Sequence, residues 1–125
     1  MIIACFGEAK KGKMATPYYI KNTDHLYENL GEPIKDTQGL DFAIKTLHSN
    51  QAVLFFRVED EGLSKEHYLK GLNFLKKNTL QKRLLGIYLA GCFDPDVVHM
   101  ATSVCMFHKT LLLATQKELI DYLTL

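Results

Sequence analysis

The chain has 125 residues, of which 47% are hydrophobic and 23% charged, and its 15 basic and 14 acidic side chains leave a net charge of +1. That length and composition fit one ordinary globular domain, which buries roughly two thirds of its unfolded surface and needs no staple to hold a core. So even a balance excludes bulk electrostatic attraction to nucleic acid or to an anionic membrane, and no apolar run reaches the roughly 20 residues that span a bilayer.

Cys5, Cys92 and Cys105 are odd in number, widely spaced and form no CxxC pair. They read as buried thiols in a reducing compartment. The opening MIIACFGEAKKGK puts its charges after a very short apolar run, the reverse of a secretory signal, so a cytoplasmic protein is expected.

In chain order, residues 2–6 are apolar and β-prone and predict a first strand. Gly7, Gly12 and Lys13 then match the spacing GxxxxGK of a phosphate-binding loop. Met14 stands where that motif needs Ser or Thr, and Pro17 would break the helix the loop must open. The expected alternative is a Gly-Lys-rich hairpin loop between two strands. Tyr18, Tyr19 and Ile20 favour strand, while residues 25–30 fit either a second strand or a short helix ended by Gly31. His25 and Tyr27 read as solvated or half-buried.

From Asp36 the periodicity is clear. Leu40, Ala43, Ile44 and Leu47 form a helical stripe that Asp36 or Thr37 could cap. The run AVLFF reads as a buried strand covered on both faces. Ser64 is placed to cap a helix whose stripe is Tyr68, Leu69, Leu72 and Leu75, with Lys76 and Lys77 at its cation-favouring end. LLGIYLAG is a further buried strand. Asp94-Pro95 starts a helix with Val97, Val98, Ala101, Val104 and Cys105 facing inward. KTLLLA is the last strand, and Thr115 with Glu118 forms a capping box for a final helix that buries Leu119, Ile120 and Leu123. Strand-helix alternation after residue 35 predicts a single three-layer α/β domain over residues 1–125. Its mainly parallel sheet has four to five strands with helices packed on it, and residues 1–35 supply one or two of those strands.

Ligands of open α/β sheets gather at the carboxyl ends of the strands. Those ends carry Glu59-Asp60-Glu61, Cys92-Phe93-Asp94-Pro95-Asp96 and Thr115-Gln116. One reading makes Glu59, Asp60, Asp94 and Asp96 oxygen ligands for Mg or Mn, with His99 assisting, in a small phosphohydrolase or nuclease. Each residue also has a structural role open to it: Asp94 as a helix cap, Asp96 as a complement to a helix N-terminus, residues 59–61 as a solvated loop. The end of the first strand offers only Gly7-Glu8 as a matching acid. Cys92 has no histidine placed by sequence to activate it, and neither GxSxG nor GxGxxG occurs.

The order of elements, with VLFFRVEDEGLS leading from a strand through a loop to Ser64 and then DPDVVHMATS and TQKELIDYL closing the chain, resembles a STAS domain, the fold of bacterial anti-sigma factor antagonists. The resemblance takes residues 25–30 as the second leading strand. It lacks the Asp-Ser run usual before the helix; Leu63 precedes Ser64 here. It implies a non-catalytic regulatory module without a cofactor. Another protein would dock on the helix that begins at Ser64, and Ser64 would be phosphorylated by a partner kinase. A phosphate there would add nearly two negative charges beside Glu59, Asp60 and Glu61. A helix cap remains the plainer role for Ser64.

Overall fold

A computed structural model of the chain describes residues 1–124, apart from the side chains at positions 116, 121 and 122, so the reading of Gln116 lies outside the described side chains. Among the described residues the apolar runs form five strands: β1 (Ile2–Gly7), β2 (Pro17–Ile20), β3 (Ala52–Arg57), β4 (Leu84–Leu89) and β5 (Leu111–Leu113). Among the same residues the amphipathic segments form five helices: α1 (Thr23–Leu30), α2 (Gly39–His48), α3 (Lys65–Lys77), α4 (Pro95–His108) and α5 (Gln116–Leu123). The sheet runs β2-β3-β1-β4-β5, with β1, β3, β4 and β5 parallel and β2 antiparallel to β3.

Alternation along the strands divides the core into two layers. Ala4, Phe6, Leu54, Phe56, Ile87 and Leu89 face α3 and α4, whereas Cys5, Val53, Phe55, Tyr88 and Ala90 face α1 and α2. Phe6 and Phe56 stack at 4.6 Å between centroids. α3 reaches that pair through Gly71, where a Cβ would come within 2.4 Å of the Phe6 ring.

Several expectations change. Residues 25–30 belong to a helix: Asn22 Oδ1 accepts from the His25 amide at 2.8 Å, and Leu26 and Leu30, one turn apart, are buried. The loop after β1 is no hairpin, because β2 crosses to the far side of β3 and pairs there. Lys13 is followed by a strand, so the GxxxxGK spacing opens no helix. Neither Asp36 nor Thr37 caps α2, whose N-cap is Gln38 with no side-chain capping bond. Ser64 precedes α3 but gives it no side-chain cap. Asp94 does cap α4, accepting from Asp96 and Val97, while Val98 is only half-buried. The largest departure is in α5. Leu119, Ile120 and Leu123 are exposed, and the helix turns Glu118 inward instead.

Candidate functional site at the carboxyl ends of the strands

The parallel strands reverse direction of winding at β1. Chain leaving β1 returns as β3 on one side with α2 on one face, and β3 then crosses β1 to reach β4 with α3 and α4 on the other. A crevice therefore opens between the carboxyl ends of β1 and β4, the place where doubly wound sheets hold their ligands. Here the loop joining β3 to α3 folds back into it.

Glu61 makes the central contact. Its Oε2 accepts from the backbone amides of Glu8 (2.9 Å) and Gly39 (3.0 Å), and its Oε1 accepts from that of Gln38 (2.8 Å). The Glu61 amide in turn donates to the Glu8 carboxylate at 2.9 Å. Two of the three donors are the first free N–H groups of α2. The helix that lacks a local cap is thus capped from 22 residues away, by a carboxylate where the helix dipole favours negative charge. The approach needs glycine: a Cβ on Gly7 would lie 2.6 Å from the Gly39 Cα and 2.9 Å from the Glu61 carboxylate.

The rest of the loop is held as closely. Gly62 takes a φ of +85°, and a Cβ there would lie 2.6 Å from the Gly91 carbonyl oxygen. Its amide donates to the Tyr68 hydroxyl (2.9 Å), which donates to the Ala90 carbonyl at the end of β4 (2.7 Å). Burial pushes the Tyr68 phenol well above its ordinary range, so it stays a donor. The Ser64 hydroxyl accepts from the Asp60 amide (3.0 Å) and donates to the Asp60 carbonyl (2.9 Å), closing the loop on itself. The Glu59 amide donates to His67 Nδ1 at 3.1 Å. Glu59 and Asp60 remain exposed, and Leu63, at the tip, is 82% exposed.

A second inward carboxylate lies beside the first. Glu118 is 3% exposed. It accepts from the Tyr88 hydroxyl, from Thr115 Oγ1 (2.7 Å) and from the Gly91 amide (3.0 Å). The capping box forms by half: Thr115 accepts from the Glu118 amide, but the glutamate reaches across to β4. Phe42 of α2 stacks on Tyr88 at 4.0 Å between ring centroids. Burial, then the hydrogen bond to Glu118, pushes the Tyr88 phenol far upward.

The residues read as metal ligands are placed apart in role. Asp94 Oδ1 accepts from two amides of α4, and Asp96 pairs with Lys65, which also lies 3.8 Å from Asp94. The hydrogen bond to Lys65 pulls the Asp96 carboxyl down, and the same bond pushes the Lys65 ammonium up. Among the described residues no group of three or more His, Cys, Asp or Glu side chains is placed to hold a metal ion. All three cysteines are free and buried. Cys5 donates to the Gly39 carbonyl at 3.3 Å, and burial, with Glu61 and Glu118 adding, pushes its thiol up, while burial does the same to Cys92 and Cys105. Such thiols are poor nucleophiles.

No protein-family model, curated protein or solved structure matches the chain. The geometry above therefore carries the functional reading. The residues that sequence reasoning missed are Gln38 and Gly39, whose amides receive Glu61; Glu8 stands out in the sequence only as a weak acid at the end of β1, and Glu118 only as part of a helix cap. The glutamate of the TxxE pattern was visible, but its partners, the Tyr88 hydroxyl on β4 and the Gly91 amide just past that strand, lie 30 and 27 residues away, and no local pattern joins them to it.

Proposed function

We propose that the chain is a non-catalytic protein-interaction module, STAS-like in its use of the β3–α3 loop, that binds another protein through residues 59–64 and the start of α3. The supporting observation is that Glu61 fills the crevice where a doubly wound sheet would take a substrate, satisfying the amides that would otherwise face an anionic ligand. What the loop offers outward is an acidic rim, Glu59 and Asp60, around the exposed Leu63. An apolar side chain ringed by charge on a rigid loop suits a partner's pocket better than bond-making chemistry. The buried free thiols suit a reducing compartment such as the cytoplasm.

Ser64 is the switch point on this reading. Its hydroxyl already both donates to and accepts from Asp60, so a phosphate on it must break that ring of bonds. About −1.5 to −2 charges would then sit beside Asp60 and Glu59, and repulsion would open the loop and change what it docks. The test is affinity capture from native extract with the wild-type chain, Leu63→Glu and Ser64→Asp, quantified side by side. A partner held by the wild type and lost by both variants supports the reading. Retention of every partner by both variants contradicts it.

A further inference from the structure

The sheet's far edge carries surface that one chain does not cover. β5 pairs only with β4, and none of the described residues pairs with its outer edge. This edge strand is three leucines long, short enough to limit edge pairing, but its side chains carry no charge and leave apolar surface exposed. Beside it, Met106, Leu111, Leu119, Ile120 and Leu123 are 51–76% exposed, and Leu112 is 41% exposed.

The rotation of α5 makes this exposure a built feature. Glu118 is fixed inward by Tyr88, Thr115 and Gly91. At 100° per residue, Leu119, Ile120 and Leu123 fall on roughly the opposite side, so anchoring the glutamate turns the apolar ridge outward. Next to the ridge lies a groove of about 630 Å³ between α4 and β5, walled by Val98, Thr102, Leu112, Leu113 and Leu119. Met106 continues the Val98–Thr102 line of α4 at helical spacing.

We propose that this face is the interface of a symmetric homodimer. Two copies meet about a two-fold axis, each setting its Leu119-Ile120-Leu123 ridge into the α4–β5 groove of the other. A two-fold contact needs a patch that complements itself, and here ridge and groove are neighbours on one face. The area agrees. At roughly 80–90 Å² of apolar surface per side chain exposed to this degree, these six leave about 500 Å². Homodimer interfaces are about 65% apolar, so such a patch corresponds to roughly 800 Å² per copy, the size of a standard stable interface. The inference stands apart from the reading of the β3–α3 loop, which lies on other elements.

Sedimentation equilibrium over a micromolar to high-micromolar series tests it. The wild type is expected at twice the 14.2 kDa chain mass, with a melting temperature that rises with concentration. The double variant Leu119→Glu/Ile120→Lys changes side chains that are exposed in the single chain, so it should keep its circular dichroism spectrum while its dissociation constant rises at least about 100-fold. Leu63→Glu should remain dimeric. A wild-type mass of one chain throughout the series, with or without a co-purified small apolar molecule or peptide, overturns the proposal. So does a double variant, folded by its spectrum, that dimerises as well as the wild type.

Discussion

Removing the Glu61 carboxylate is the sharpest perturbation of the strand-end site. Glu61→Ala deletes three bonds of 2.8–3.0 Å from the amides of Glu8, Gln38 and Gly39. A hydrogen bond to a charged group contributes roughly 1.5–3 kcal/mol, and leaving the donor unsatisfied costs about the same. Glu61 is only half-buried, so water recovers part of each bond, and a net loss of about 2–4 kcal/mol is expected. For a domain of this length about 4 °C of Tm goes with each kcal/mol, giving a fall of roughly 8–16 °C by differential scanning calorimetry. Glu61→Gln should fall between: whichever way the amide is turned, its NH2 meets an N–H donor, at a cost of about 1–2 kcal/mol. The vacated amides should also accept inorganic phosphate, so phosphate should raise the Tm of Glu61→Ala and leave the wild type unchanged. A Glu61→Ala protein melting within about 2 °C of wild type, or phosphate stabilising both equally, would refute the reasoning.

Three further outcomes are expected. Gly62→Ala should cost roughly 2–4 kcal/mol, because its φ is +85° and the new Cβ meets the Gly91 carbonyl oxygen at 2.6 Å; a near-neutral effect by urea denaturation would mean the loop is not seated against β4. Stability should hold up to about pH 9 and decline above it, since Cys5, Cys92 and Cys105 are pushed up by burial from an ordinary value of 9.0 and the unfolded chain releases those protons first. Thermal melts that stay flat to roughly pH 10 would count against the buried-thiol picture. Asp94→Ala should lose about 1 kcal/mol as a missing helix cap, and Mg or Mn should leave the wild-type Tm unmoved. A metal-induced rise in Tm that Asp94→Ala with Asp96→Ala abolishes would instead favour a metal site.

The layers of the fold were legible because its strands are near-continuous apolar runs and its middle helices carry single stripes. Leu40, Ala43 and Leu47 face the sheet as expected, as do Tyr68, Leu72 and Leu75. What failed was long-range. The position of β2 depends on which strand it pairs with, and Tyr18 and Tyr19 say only that it is a strand. α1 was ambiguous over so few residues, although Asn22 ahead of Leu26 and Leu30 was a usable cap signal. In α5 the stripe is real but faces outward; periodicity gives a face but no direction, and Glu118 takes the inward side. Glu61 looked like one acid of a solvated run, since its three partners are backbone amides 22 to 53 residues away.

Quantitative capture of partners by the wild type, Leu63→Glu and Ser64→Asp bears most directly on the proposal that the β3–α3 loop is a docking surface. All three proteins should fold alike, because Leu63 is solvent-exposed and the Ser64 hydroxyl, the group that Ser64→Asp removes, bonds only to Asp60 of its own loop. The expected result is a partner enriched by the wild type and reduced at least about tenfold by each variant, as for an anchor residue at an interface centre. A partner set unchanged across all three would contradict it.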